Sequence, residues 1–435
     1  MKAYLCSPPN RAALLLIFSL SSIVVLLVRA LVLAIQGLAG LVQATLSPAD
    51  LGPYLLDATG MVFCALLLVP MLVGALRMRR GLGSSDARIS PVKPIQFALL
   101  AIVWLAVLAA AGLLTGLFDF GWLLAAPAYL LGIFLPIAAL LWLALGGLPA
   151  GSWRRVWSAF GLGLTGSTAL AMAGEYSLLG LAVLLAAIGL RLNPEWRPII
   201  SQLQERLGNI TDMQSLMDTL TPYLKNPWVL AAVLVFASGL GPLIEEAVKP
   251  LAVWILGRRI ESVAQGFALG ALGGAGFALM EGLLAASGFS SSLALGLPAR
   301  STSTLMHIGL SALMGWAIAS ARMEKRYRRL VGIYLLCAAI HGLWNASALV
   351  AVFASLQVSA SGAETLSGSL LLVAGLAMLV LVMAAVAVLL ISGNLRLRRA
   401  LALAAPAHDI IPPLEKGVPD SLPQEEDHAL DPDRD

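Results

Sequence analysis

The sequence predicts an all-α, polytopic integral membrane protein of about ten transmembrane helices around a buried polar site. Two observations carry that prediction. Of 435 residues, 59% are apolar and only 12% charged, whereas an average soluble domain holds about a quarter charged residues. Long apolar runs recur from Arg11 to Gly393, each near the roughly 20 residues that cross a bilayer as a helix. A soluble enzyme, a nucleic-acid binder and a secreted disulfide scaffold are excluded. Cys6, Cys64 and Cys337 stand too far apart for a disulfide framework or a zinc knuckle.

Ten spans are expected, at 12–36, 53–76, 95–117, 121–147, 158–190, 228–257, 263–288, 303–321, 330–353 and 369–393. The first has no small-residue cleavage site after a short core, so it reads as a retained anchor. Basic loops follow the second span (Arg77, Arg79, Arg80, Arg88, Lys93), the fourth (Arg154, Arg155), the sixth (Arg258, Arg259), the eighth (Arg322 to Arg329) and the tenth (Arg396, Arg398, Arg399). Every second loop is basic, as one consistent orientation requires. The expectation is a multi-pass protein of the cell membrane with both termini cytoplasmic. The stretch 158–190 is long, glycine-rich and interrupted by Glu175. The alternation holds only if it crosses an odd number of times, so it is read as one span.

The chain divides into N-terminal spans (1–190), a polar insert (191–227), a core (228–353), a last span (354–403) and a tail (404–435). In the insert, Ile199, Ile200, Leu203 and Leu207 recur at helical spacing after Pro194. Thr211 and Gln214 then form a capping box for a second apolar-faced helix. Two amphipathic helices on the outer membrane surface are expected. The tail holds nine acidic residues and, as bases, only Lys416 and Arg434; with its prolines it reads as disordered.

An ionisable residue inside the hydrocarbon costs about 2.5–3.5 kcal/mol even on the lenient insertion scale, so each needs a reason. Four consecutive spans concentrate them. The sixth carries Glu245, Glu246 and Lys249, the seventh Glu281, the eighth His307, and the ninth His341 and Asn345. The other two of the four histidines, His408 and His428, lie in the tail. Counted from the expected cytoplasmic ends, the cluster lies on the order of 16–25 Å deep. Lys249 is three residues from Glu246 and four from Glu245, so it can pair with either. Pro250 should kink the sixth helix and free a backbone acceptor. The glycines of the seventh helix (Gly266, Gly270, Gly273, Gly274, Gly276) should let its neighbours approach closely. Arg300 reads as a loop or outer-interface charge.

A carboxylate near a lysine and a second carboxylate can serve as general base for water. Imidazole and carboxamide can polarise a carbonyl and stabilise its oxyanion. Alternatively, the histidines and glutamates can hold a divalent metal such as zinc that activates the water, with Glu281, His307 and His341 as the ligand set. Both routes lead to amide hydrolysis within the membrane.

Four motifs occur in order on adjacent spans: Glu245-Glu246-x-x-Lys249, Gly276-Phe277-x-x-x-Glu281, Arg300-x6-His307-x7-Gly315, and His341-Gly342-x-x-Asn345. Together they resemble the PrsW-type intramembrane proteases, distant relatives of the CAAX-processing and bacteriocin-processing membrane proteases, over about 225–350. Gly282 departs from the pattern, which often has Asn there. The resemblance implies an intramembrane peptidase that cleaves a membrane-anchored protein, for the founding members an anti-sigma factor. It implies that Glu245 activates water, that Glu281 replaces a histidine of the CAAX relatives, and that His341 and Asn345 form the oxyanion side. The expected catalytic set is therefore Glu245, Glu246, Lys249, Glu281, His307, His341 and Asn345. The expected partners are a membrane-anchored protein substrate and the lipid bilayer, with no nucleic acid. A coupled transporter would also bury carboxylates and histidines at mid-membrane, but the first half carries no counterpart cluster. A non-catalytic scaffold ranks third, because the main motif positions are intact.

Overall fold

The computed structural model describes residues 8–43, 45–47, 51–117, 122–192, 205, 227–285, 293–361 and 366–404. The amphipathic pair expected within 191–227 and the acidic tail fall almost wholly outside the described residues. The elements in order are α1 (Pro8–Val42), α2 (Leu51–Arg79), α3 (Pro94–Leu117), α4 (Trp122–Leu145), α5 (Trp153–Gly161), a π-helical turn π1 (Leu162–Ser167) and α6 (Thr168–Leu192). There follow α7 (Pro227–Val235), π2 (Phe236–Leu240), α8 (Gly241–Val248), α9 (Leu251–Leu256), α10 (Val263–Leu284), α11 (Leu293–Glu324), α12 (Tyr327–Ser361) and α13 (Leu366–Ala404). The described residues hold no strand, only an isolated bridge between Asp86 and Ser152.

Nine stretches among the described residues are long and apolar enough to cross a bilayer, and Pro94–Ala110 is a shorter apolar helix. The chain is a multi-pass membrane protein. The glycine-rich stretch after Trp153 runs as one helical path, α5–π1–α6, and so counts as one crossing. The eighth helix begins at Leu293, well before the expected 303. Arg300 is therefore helical, two turns before His307, and not a loop charge.

The basic loops gather on one face. The loop after α2 pairs with the start of α5 (Ala87 N to Gly151 O 2.8 Å, Trp153 N to Ser85 O 3.0 Å). Arg155 then reaches Glu261 at 2.6 Å. Arg322 donates to Val253 O and Trp254 O, both at 2.9 Å, closing the end of α9. From α13, Asn394 donates to Ala144 O and Gly146 O at the end of α4.

Helix α10 is the axis of the assembly. From Ala264 to Leu283 every residue is buried except Glu281. Its glycines explain how so many neighbours reach it. A Cβ on Gly270 would stand 2.2 Å from Ser311 O, and one on Gly274 would stand 2.4 Å from His307 O, so α10 and α11 lie backbone to backbone. On another face, Gly276 leaves no room for a Cβ beside Phe160 O, and Gly273 none beside Lys249 O. In lipid no hydrophobic force draws helices together, so close packing of small residues supplies the association. The N-terminal helices take part directly, since Tyr129 Oη on α4 donates to Gly282 O on α10 at 3.0 Å.

Gly270→Ala should therefore lower stability by about 1–3 kcal/mol as an overpacking change. Gly180→Ala, with nothing within 4 Å of the added methyl, should leave it unchanged. Thermal unfolding in detergent micelles checks the contrast.

Candidate active site

The helix that carries the first motif is broken on both sides of it. Upstream lies π2, where Asn345 Nδ2 donates to Ala237 O at 2.7 Å. Gly342 lies against the same turn, with no room for a Cβ beside Ser238 O. Downstream, Pro250 separates α8 from α9, as its ring and missing N–H require. Ser167 Oγ from π1 donates to Val248 O at 2.9 Å. Trp254 Nε1 donates to Ala247 O at 2.9 Å. Irregular backbone at membrane depth must be satisfied inside the protein, and these side chains do so.

Between the two breaks stand Glu245, Glu246 and Lys249. Lys249 and Glu246 are completely buried, and the Glu245 side chain is 15% exposed. Lys249 Nζ lies 2.7 Å from Glu246 Oε1 and 3.0 Å from Glu245 Oε2, and 4.9 Å from the centre of the Phe277 ring. His341 Nδ1 lies 2.9 Å from the same Glu246 oxygen. Lys249 Nζ and His341 Nδ1 are 3.3 Å apart because both donate to that one acceptor. The proton assigned to Nδ1 by this bond leaves the lone pair of His341 on Nε2, which lies 3.9 Å from Glu245 Oε2.

The second half of the site is built by α10 and α11. Glu281 bridges Arg300 (Nη2 to Oε1, 2.9 Å) and His307 (Nε2 to Oε2, 2.6 Å). Arg300 and His307 are seven residues apart on one helix, two turns along one face, so a carboxylate on α10 meets both. His307 is buried, and its Nδ1 has no hydrogen-bond partner among the described residues. Its ring packs edge-on against His341 with centroids 5.4 Å apart.

Glu245, His307 and His341 each offer a ligand atom within 4.8 Å of the other two. The structure thus gathers Glu245 with the two histidines, where the sequence suggested Glu281. Glu281 is engaged instead by Arg300 and His307, and Asn345 is committed to the π2 backbone. Glu246 and Lys249 stand directly behind Glu245. Two residues near the site stand outside the expected catalytic set. Arg300 was signalled by its two-turn spacing from His307. Glu175, on α6, has its Oε1 3.8 Å from where a Cβ of Gly241 would stand, one turn before Glu245; its only signal was a charge interrupting an apolar run.

Residues 212–391 match the family model described as PrsW family intramembrane metalloprotease. Over this stretch, 180 of the 435 residues, the chain is similar to the PrsW family. No curated protein and no solved structure matches the chain. The PrsW stretch contains all four motifs and extends through most of α13, while Glu175 and the helices before it lie outside.

The donor set suits a divalent cation. Three carboxylates (Glu245, Glu246, Glu281) face two cations, Lys249 and Arg300, which leaves a negative balance in a low-dielectric site. The buried, unpartnered Nδ1 of His307 adds a neutral nitrogen ligand. Removing Lys249 would strand two carboxylates. Lys249→Met is expected to cost about 3–5 kcal/mol, read as a lower unfolding temperature in detergent. Lys249→Met combined with Glu246→Gln should recover part of that loss.

Proposed function

We propose that the protein is a metal-dependent intramembrane endopeptidase that cleaves a peptide bond of a membrane-anchored protein, such as an anti-sigma factor or a similar regulator. The observation that carries this reading is the convergence of Glu245, His307 and His341 within 4.8 Å, deep among helices of a multi-pass protein. Glu245, His307 and His341 would hold the metal. When bound, a divalent cation supplies Lewis-acid polarisation of the scissile carbonyl and a more acidic water.

The chain's own residues do the positioning. Glu246 orients His341 through Nδ1, and Glu281 orients His307 through Nε2; partners of this kind fix ring orientation and raise ligand basicity. Lys249 balances the charge of Glu245 and Glu246, and Arg300 does so for Glu281. Glu245 is partly exposed, as is Glu281, whose side chain is 38% exposed. The substrate and water would enter on that side. The resemblance gives Glu245 the role of activating water, and metal content separates that role from ligation. A ligand lost in Glu245→Gln removes metal, whereas a lost base leaves it bound.

The gathered basic loops would face the cytoplasm under the positive-inside rule, and this supports the reading of a cell-membrane protein with the start of α1 and the end of α13 on the cytoplasmic side. The domain division proposed is a buttress of N-terminal helices to 190, an insert at 191–227, a protease core at 228–353, a last span at 354–403 and a tail from 404.

Purified full-length protein in liposomes should cleave a co-reconstituted single-pass membrane protein. A strong chelator should stop the reaction, and added zinc should restore it. Glu245→Gln and His341→Ala should each lower the rate by 10²-fold or more, about the effect of losing one electrostatic or acid–base contributor, without loss of folding. Full activity in both variants would remove the proposal. The substrate follows from comparing the membrane proteomes of cells with the active enzyme and with the Glu245→Gln enzyme.

A further inference from the structure

A cavity of about 270 Å³ opens on the basic-loop face, between the end of α2 and the start of α5. Local structure builds it. Gly81, at φ 72°, turns the chain back after α2, and Leu82 N donates to Arg77 O at 2.9 Å. The returning loop then meets α5, where Arg154 N donates to Ser84 Oγ at 3.3 Å. The stem of Arg154 lies over Gly74, whose added Cβ would stand 3.2 Å from Arg154 Cγ. Arg77 and Arg154 thus line one cavity from two helices, together with Ser84.

Two guanidinium groups in one cavity repel each other unless an anion lies between them. Other arginines of the basic loops have acceptors in the protein. Arg155 pairs with Glu261 at 2.6 Å, Arg322 donates to two carbonyls, and Arg329 donates to Ser320 Oγ and Glu324. The guanidinium groups of Arg77 and Arg154 have no such acceptor among the described residues. The opposite end of the cavity is apolar, lined by Pro70 and Val73 on α2 and by Trp157 on α5. Pro70 stands seven residues before Arg77, about 10 Å further along the helix into the span. Val73 is 46% exposed, and Trp153, which also lines the cavity, is 42% exposed. Tryptophan is enriched at the level of lipid headgroups. A charged end towards water and an apolar end towards hydrocarbon match an amphiphile better than a free phosphate ester.

We propose that this cavity binds the headgroup of an anionic phospholipid, with its phosphate between Arg77 and Arg154 and the start of its acyl chains along Pro70 and Val73. The planar donors of arginine match phosphate oxygens, and basic pockets between membrane helices bind lipid headgroups of this kind. The site does not depend on the peptidase reading.

Full-length protein in an uncharged detergent is titrated with phosphatidylglycerol, phosphatidylcholine and glycerol 1-phosphate, and bound ligand is counted by native mass spectrometry. Arg77→Gln and Arg154→Gln should each weaken phosphatidylglycerol binding about fivefold and together about 30-fold, which corresponds to about 1 kcal/mol per arginine. Phosphatidylcholine should bind the wild type no more tightly than phosphatidylglycerol binds the double variant. Arg80→Gln, which removes the same charge from the same loop outside the cavity, should leave binding unchanged. Arg77 is exposed, so its variant carries the test if Arg154→Gln does not fold. Full binding in the double variant, or equal binding of the two lipids, would overturn the site. Equal weakening by Arg80→Gln would reduce the effect to the net charge of the face and overturn it as well. Glycerol 1-phosphate binding as tightly as phosphatidylglycerol would give the cavity to a soluble phosphate ester and overturn the lipid as its occupant.

Discussion

A charge buried in hydrocarbon has to be neutralised by the protein itself, and the ammonium of Lys249 is where this chain meets that requirement. It is completely buried, and it holds two carboxylates three and four residues before it on the same turn of helix. Glu246 then reaches outward to His341 Nδ1 at 2.9 Å, and Glu245 Oε2 lies 3.9 Å from His341 Nε2. The electrostatics of the site therefore form one connected network, in which each group is placed by the one behind it. Pairs of this kind add little net stability, but breaking one is expensive. That asymmetry suits a site that must stay charged and ordered inside a membrane.

The helix that bears the network cannot be regular. π2 and Pro250 bracket α8, and the backbone groups they release are taken up by Asn345, Ser167 and Trp254, with Tyr334 Oη on Leu243 O at 2.7 Å. Each of these partners comes from outside α8. The irregular backbone thus ties the first motif to the helix of the last motif and to the N-terminal half. In this arrangement Asn345 is a structural clamp on the π turn, placed one helical turn beyond the His341 that serves the site.

Packing explains why the helices before residue 190 accompany the PrsW stretch. Helix α10 is buried on all sides, and a helix without a lipid-facing side needs neighbours all round. α11 covers one face through the Gly270 and Gly274 contacts, and α5 and π1 cover another around Gly276. α4 holds Gly282 through Tyr129. Glu281, next to that bond, is the position where the otherwise buried stretch opens. The N-terminal helices are a wall of the site, with Gly174 on α6 packed against Ile244 on α8.

Apolar content, run length and the alternation of basic loops determined by themselves that the chain is a helical membrane protein with about ten spans, because a bilayer imposes length and charge rules that act on each segment separately. The same scarcity of charge made Glu245, Glu246, Lys249, Glu281, His307 and His341 stand out, and glycine spacing on α10 marked the close contacts. Only the tertiary structure decided which of these groups meet. Whether Glu245 or Glu281 joins the two histidines depends on helix rotation and on Arg300 capturing Glu281, and neither is written in the spacing of any one helix. Asn345 lies four residues from His341, yet it turns to a backbone carbonyl that exists as a free acceptor only because α7 gives way to a π turn. Gly174 is separated from Ile244 by 70 residues, and the packing of one on the other is a contact between two helices that a single apolar run cannot announce.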